Sequence, residues 1–396
     1  MHGGQHFWEN VAFARFCSRK GGFMGPALQT ITLKGFRSIG ELNRLSLNNI
    51  NILIGANGAG KSNFIEFFRM MRAIVDGALS RYIRNRGGGS GFFHLGPKHT
   101  PRIQVELDFG DLGYRFDLCL TASDGMQLID ERVRKFRPTP ETNPWVDLPR
   151  GLLDSVIPKP APPNQVQDGP AEMATSVFEA LSQWIVYHFH DTSRLAPMRM
   201  PHEARDREWL RHDASNIASV LYYLREKDPA SYTLIRDTVR IGAPFFDDFV
   251  LRPEDSGVGE RIRLEWRQTG SDYPFQPMDL SDGTIRFVCL AVALLQPQPP
   301  GTLVIDEPEL GLHPCGLALV ANLVRSASKK AQIILSTQSP VFLDHFDPEH
   351  VVVVSRRKGE SIFERLSGEA WREWLDDYTL GELWQKNLCG GGPNHE

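Results

Sequence analysis

Apolar and polar positions along this chain repeat with two periods, and each change of period marks an element boundary. Leu28, Ile31 and Leu33 lead into Gly35-Phe36-Arg37-Ser38-Ile39 with the spacing of a strand, and a second strand is predicted around Leu45 to Leu47. Ile50-Asn51-Ile52-Leu53-Ile54 is apolar on both faces and reads as a buried strand. From Asn63 the period lengthens. Phe64, Phe67, Phe68, Met71, Ile74 and Val75 keep the spacing of a helix packed on a sheet. Gly87-Gly88-Gly89-Ser90-Gly91 breaks the chain, after which Arg102–Phe109, Tyr114–Thr121 and Met126–Phe136 alternate as antiparallel strands between Gly/Asp turns.

Pro138 to Pro170 holds nine prolines and few apolar residues, which predicts an extended loop rather than core. Beyond it the pattern predicts a helix over Met173–Leu181, a buried strand over Trp184–His190, and two helices between Asp213 and Ile241. Phe246–Arg252 and Arg261–Gln268 are β-type; Phe287, Leu290, Ala291 and Leu294 return to helical spacing; Leu303-Val304-Ile305 reads as a parallel strand. A strand at His350–Ser355 and a helix at Glu369–Asp377 follow. No segment sustains an a/d heptad, which excludes long coiled-coil arms, and there is no internal repeat. The fold class is α/β: a mixed sheet with helices on both sides and an inserted antiparallel β plus helical region. The organisation this predicts is an extension at 1–23, read as dispensable, a lobe at 24–136, an insertion at 137–240 and a second lobe at 241–396.

Composition narrows the partners. A net charge of −4 excludes a strongly basic nucleic-acid binder and leaves any such contact to local patches. The candidates are Arg81, Arg84 and Arg86; Arg132, Arg134, Lys135 and Arg137; Arg194, Arg199, Arg205, Arg207 and Arg211; and Arg356, Arg357 and Lys358. Five scattered cysteines, never in a C-x-x-C pair, point to a reducing compartment and away from a structural zinc or a disulfide framework. The apolar run Phe287–Leu295 is too short for a bilayer, which needs about 20 residues, and the N-terminus lacks the apolar core of a signal peptide. The expectation is a cytoplasmic protein with no membrane partner.

The chemistry concentrates at Gly55-Ala56-Asn57-Gly58-Ala59-Gly60-Lys61-Ser62, a G-x-x-x-x-G-K-S loop between the apolar strand and the helix. Gly55, Gly58 and Gly60 free the backbone to turn its N–H groups inward at phosphate oxygens. Lys61 adds a positive charge, and Asn63 opens a helix whose dipole favours an anion. Ser62 is the natural hydroxyl ligand for a Mg²⁺ ion on those phosphates. Further along, Leu303–Pro308 delivers Asp306 to the end of a strand, where a carboxylate can hold Mg²⁺ and Glu307 can deprotonate an attacking water. Ser281, Asp282 and Gly283 open another helix: Ser281 is a good N-cap and Gly283 permits close approach of an anion. That second grip on a nucleotide suggests a second subunit.

The order GANGAGKS, LSDGT, LVIDEPELGLHP, IILSTQSP resembles the ATP-binding-cassette ATPase superfamily. The similarity is to its soluble branch, which includes RecF, the structural-maintenance-of-chromosomes heads and the OLD proteins. Small stand-alone bacterial ATPases, with ends like Leu380-Gly381-Glu382-Leu383-Trp384 and Gly390-Gly391, look most alike. The resemblance implies ATP and Mg²⁺ as cofactors, phosphate binding by Lys61 and Ser62, metal assistance by Asp306 and a general base in Glu307. It implies that Ser281 and Gly283 touch ATP held by the opposite protomer of a homodimer, with Gly311-Leu312-His313-Pro314 at the seam. Asp282 stands where transporters have glycine. Gln338 stands where relatives often carry a γ-phosphate-sensing histidine; it can donate a hydrogen bond but cannot titrate near neutral pH, so turnover is expected to be slow.

Two functions fit these residues: an ATPase whose closing heads switch a partner or DNA, in defence or DNA repair, or a nucleotide-gated module that restrains a separate nuclease or toxin with little turnover. A kinase or GTPase explains the first loop but not Ser281–Thr284 or Glu307. Gln104 and Phe93-His94 are poor counterparts of the superfamily's glutamine loop, and His188, His190 and Asp191 are a weak metal candidate, because two histidines on one strand face lack a third ligand.

Overall fold

The computed structural model describes residues 26–135, 144–148, 170–257 and 259–392. The 1–23 extension, Cys17 and most of the proline-rich stretch lie outside the described residues. The elements begin with the hairpin β1 (Thr30–Phe36) and β2 (Ile39–Ser46), then β3 (Ile50–Ile54), α1 (Lys61–Val75) and α2 (Leu79–Asn85). A meander follows: β4 (Arg102–Asp108), β5 (Leu112–Leu120), β6 (Met126–Lys135) and the short β7 (Val146–Asp147). Next come α3 (Pro170–Ser182), β8 (Trp184–Tyr187), β9 (His202–Glu203), α4 (Ile217–Lys227) and α5 (Pro229–Gly242). β10 (Phe246–Val250), β11 (Glu254–Asp255), β12 (Glu260–Ile262) and β13 (Glu265–Gln268) precede α6 (Asp282–Leu295) and β14 (Thr302–Asp306). The chain continues through α7 (Pro314–Ala327), β15 (Gln332–Ser336), α8 (Pro340–Leu343), β16 (Val351–Arg357), β17 (Glu360–Arg365), α9 (Gly368–Leu375) and α10 (Leu380–Gln385).

The central sheet has the order β17-β16-β3-β15-β14-β8. Five strands are parallel and β17 is antiparallel at one edge, so the sheet is mixed as expected. Its short strands are apolar on both faces because both faces are covered. Ile50, Ile52, Ile54, Leu303, Ile305, Ile333 and Leu335 point into one core with α4 to α8 and α10; Leu53, Val304, Ile334, Val352 and Val354 point into the other. That second core is closed by α1, α3 and the antiparallel sheet β2-β1-β4-β5-β6-β7. Lying between two sheets, α1 buries Phe64, Ile65, Phe67, Phe68, Met70, Met71, Ala73 and Ile74 rather than a single stripe. Asn51 is fully buried in β3 and stitched down: its amide donates to Asn48 O at 2.7 Å and its oxygen accepts from the Asn48 N–H at 2.9 Å.

The structure corrects several boundaries. α1 starts at Lys61, not Asn63, because the glycine loop runs straight into the helix. β8 stops at Tyr187, so His188 and His190 follow the strand rather than alternating on it. The run 261–268 splits into β12 and β13, which pair in different small sheets. The segment 137–240 is more than an insertion, since its β8 pairs with β14 at the edge of the central sheet. The unforeseen β17 returns through Lys358-Gly359, both at positive φ (50° and 80°), as a tight two-residue hairpin turn requires. No helix among the described residues is long and apolar enough to cross a membrane.

Candidate functional site

Three adjacent strands bring the conspicuous motifs to one end of the central sheet. β15 lies between β3 and β14, with Ser336 opposite both Leu53 and Asp306. The loop after β3, the Thr337–Gln338 turn after β15 and Asp306–Glu307 after β14 therefore emerge side by side, at the strand ends where open parallel sheets bind ligands.

The 55–62 loop is shaped by glycine. Gly55, Gly58 and Gly60 have φ of 152°, 79° and 120°. A Cβ on Gly55 would lie 2.1 Å from Val354 O, and one on Gly60 would lie 2.1 Å from Ser361 Oγ. Neighbours lace the loop from outside: the Ala56 N–H donates to Gly391 O (2.7 Å), Ser361 Oγ to Ala59 O (2.6 Å), Arg356 to Gly58 O (3.2 Å) and Asn63 Nδ2 to Ser38 Oγ (2.6 Å). Asn57, Gly58 and Ser62 remain exposed. Lys61 is buried and turns back, donating from Nζ to Gly55 O and, at 3.1 Å, to Ala56 O. Burial pulls its ammonium below the ordinary lysine range, while the carboxylates of Glu307, Asp306 and Glu309 pull the other way.

On the facing wall Ser336 Oγ donates to Asp306 Oδ1, Arg69 lies 3.7 Å from Asp306 Oδ2, and His190 Nε2 is 2.9 Å from Asp306 O. Glu307 has a left-handed backbone, φ 45°, a strain on the order of 1–3 kcal/mol for a non-glycine residue. Its N–H donates to Ser336 O at 3.0 Å, and its Oε1 accepts from Gln338 Nε2. Glu309, which sequence reasoning missed, organises the turn: Oε1 accepts from Thr337 Oγ1 and from the Gln338 N–H, both at 2.7 Å, while Oε2 is buried without a hydrogen bond. Burial raises its carboxyl above the usual carboxylate range. The available signal was an acidic residue spaced two from Glu307.

Ser281 caps α6, its Oγ accepting from the Thr284 N–H at 3.1 Å. Two buried arginines fix this region: Arg199, read in the sequence as part of a basic surface patch but buried here, and Arg286, which sequence reasoning missed. Arg199 donates to Asp282 Oδ1 (2.9 Å), Leu280 O (3.1 Å), Thr192 O (3.0 Å) and Pro277 O. Arg286 donates to Phe189 O (3.0 Å), His190 O (3.2 Å) and Leu310 O. Gly283 packs so closely on Gly311 that a Cβ would come within 2.1 Å of Gly311 O. Among the described residues no hydrogen bond or ion pair joins 281–283 to 55–63.

Gln104 and Phe93-His94 fall away from this cluster, whereas His190 borders it through Asp306 O. Gln104 is exposed mid-strand in β4, paired with Lys34 and Asp117, and Phe93 and His94 are buried near the β1–β2 hairpin, His94 Nδ1 lying 2.7 Å from Arg37 O. The His188 and His190 rings lie 4.6 Å apart between centroids, tilted by 45°, and no metal-binding group of three His, Cys, Asp or Glu occurs among the described residues.

The family described as "AAA domain, putative AbiEii toxin, Type IV TA system" matches residues 50–344. The fold is similar to an Smc head bound to the C-terminal winged-helix domain of ScpA, with TM-score 0.56 at 16% identity, covering 88% of this chain and 100% of that one. It is equally similar to an Smc head with an extended coiled coil bound to the C-terminal domain of ScpA from Pyrococcus furiosus: TM-score 0.57, 14% identity, 89% and 99% covered. No curated protein matches the chain.

Proposed function

The chain belongs to the AAA-domain family that matches it over residues 50–344, and we propose from that premise that it binds and hydrolyses ATP as an ATP-sandwiched homodimer, acting as a conformational switch on DNA or on an effector protein. One observation carries this reading: the strand ends of β3, β15 and β14, side by side, bring Lys61, Gln338, Asp306 and Glu307 to one end of the sheet.

The residues fit ATP with Mg²⁺. A cradle in which Gly55 and Gly60 have no room for a Cβ, the Lys61 ammonium folded against its carbonyls, an exposed Ser62 hydroxyl and Asp306 opposite make a donor set suited to phosphates and a hard cation. Residues 55–63 would hold the phosphates, and Ser62 and Asp306 the metal, which when bound neutralises charge on the transferring phosphate. Glu307 takes the proton of the attacking water, and the Gln338 amide, donating to its Oε1, keeps that carboxylate oriented. Ser281, Asp282 and Gly283, unconnected to the phosphate loop of their own chain, serve the loop of the second copy. The family name adds a toxin–antitoxin setting to the proposed effector. The second reading, an ATP-gated module that restrains a separate nuclease or toxin with little turnover, is favoured by Gln338, which cannot relay a proton.

The test is the oligomeric state of wild type and Glu307→Gln by gel filtration with light scattering, with and without ATP and Mg²⁺, beside phosphate release. The variant is expected to lock into an ATP-dependent dimer and to lose roughly 10²–10⁴-fold in turnover, the usual worth of a general base. A dimer without measurable wild-type turnover selects the gated module. Assembly indifferent to nucleotide in both proteins overturns the sandwich.

A further inference from the structure

A cavity of about 600 Å³ opens beside the edge strand β8, between α1, α2 and the 209–212 loop. Arg69 and Arg72 reach it from α1, Arg81 from α2, Arg86 from just past the end of α2, and Arg211 from across the cleft. Two separate basic patches of the sequence, 81–86 and 194–211, thus meet in one place. The acids nearby are shared out: Glu66 serves both Arg69 (3.2 Å) and Arg86 (2.8 Å), Asp76 serves Arg72 (2.8 Å), and Asp206 serves Arg211. Arg81 is exposed and has no acid partner among the described residues. Half-buried Trp209 and Tyr82 also line the wall, and the Arg86 guanidinium lies 5.0 Å from the Tyr82 ring centroid.

Guanidinium groups match phosphate oxygens with two parallel donors, and indole or phenol rings stack on bases of any sequence. The volume is within the roughly 300–1,000 Å³ of small-ligand sites. We propose that this cavity binds a nucleoside phosphate, free or as the terminal residue of a single strand, with the phosphate on the arginines and the base against Trp209 and Tyr82. The site is separate from the phosphate loop and does not depend on hydrolysis.

The experiment uses full-length Lys61→Ala protein, so that the phosphate loop does not answer, and a short 5′-phosphorylated, fluorescein-labelled oligothymidylate read by anisotropy. Arg69 is left intact because it also contacts Asp306. Saturable binding is expected, weakened about tenfold or more by Arg81→Glu and by Trp209→Ala, each the loss of one strong contact. Exposed Arg81 holds no described structural contact, so Arg81→Glu is expected to melt as its parent does and remains decisive if Trp209→Ala unfolds. Displacement of the probe by thymidine 5′-monophosphate assigns the site to free nucleotide; retention against it assigns the site to a strand end. Absence of saturable binding of either probe, or binding unchanged by Arg81→Glu, overturns the proposal.

Discussion

Glu309 shows how one carboxyl can set a turn in the candidate site. It accepts from Thr337 and from the Gln338 N–H, and Gln338 in turn donates to Glu307. Glu309→Ala would leave two donors unpaired, at about 1–3 kcal/mol each, and is expected to lower turnover more than ATP binding, read as kcat against KM. Glu309→Gln separates charge from hydrogen bonding. Because burial raises the folded carboxyl above its ordinary 4.5, its stabilising contribution is complete below that value and is lost as pH rises through the folded value. The melting temperature of Glu309→Gln minus that of wild type is therefore expected to grow as pH rises from 4.5 toward neutrality. A difference constant across that range would show that the carboxyl is not held up by the fold. The phosphate-loop and Asp306–Glu307 residues were legible one by one, because each belongs to a motif of fixed spacing. Glu309 and Arg286 were not, and Arg199 was read only as part of a basic patch, because most of their partners lie 24 or more positions away and are mostly backbone carbonyls with no residue signature.

At the scale of elements, α6 and the 310–313 loop behave as one unit. Gly283 packs on Gly311, and Arg286 ties the helix to Leu310 and to the 189–190 loop. Gly283→Ala would force its Cβ into a backbone oxygen, so the helix start must move. The expected result is loss of ATP-dependent association in light scattering, with binding of a fluorescent ATP analogue to the phosphate loop retained. Association like that of wild type would remove α6 from the seam. Most helices and strands were legible because their periods differ. β17 was missed because it is an edge strand with little buried surface, and its Lys358-Gly359 turn is its clearest signal. The Trp184–His190 strand was read three residues too long, because the histidines after Tyr187 continue the alternation without pairing.

Across the whole molecule, nucleotide binding should appear as stability. A ligand at 100 times its Kd that binds only the folded state adds about 2.7 kcal/mol. ATP with Mg²⁺ is expected to raise the wild-type melting temperature in a concentration-dependent way and to raise that of Lys61→Ala less; an equal shift in both would place the stabilising nucleotide away from the phosphate loop. What the sequence determined by itself is local: the glycine loop, the strand and helix flanking it, the acidic strand end, the two-faced apolar strands and the α/β class, since each is encoded within a few neighbouring residues. Only the tertiary structure decided that β15 stands between β3 and β14, that β8 leaves the middle segment to edge the central sheet, and that Arg81, Arg86 and Arg211 share a cavity. The reason is physical. Ile50–Ile54, Thr302–Asp306 and Gln332–Ser336 are all buried strands able to pair with one another, and their order is set by the packing of helices on both faces of the finished sheet.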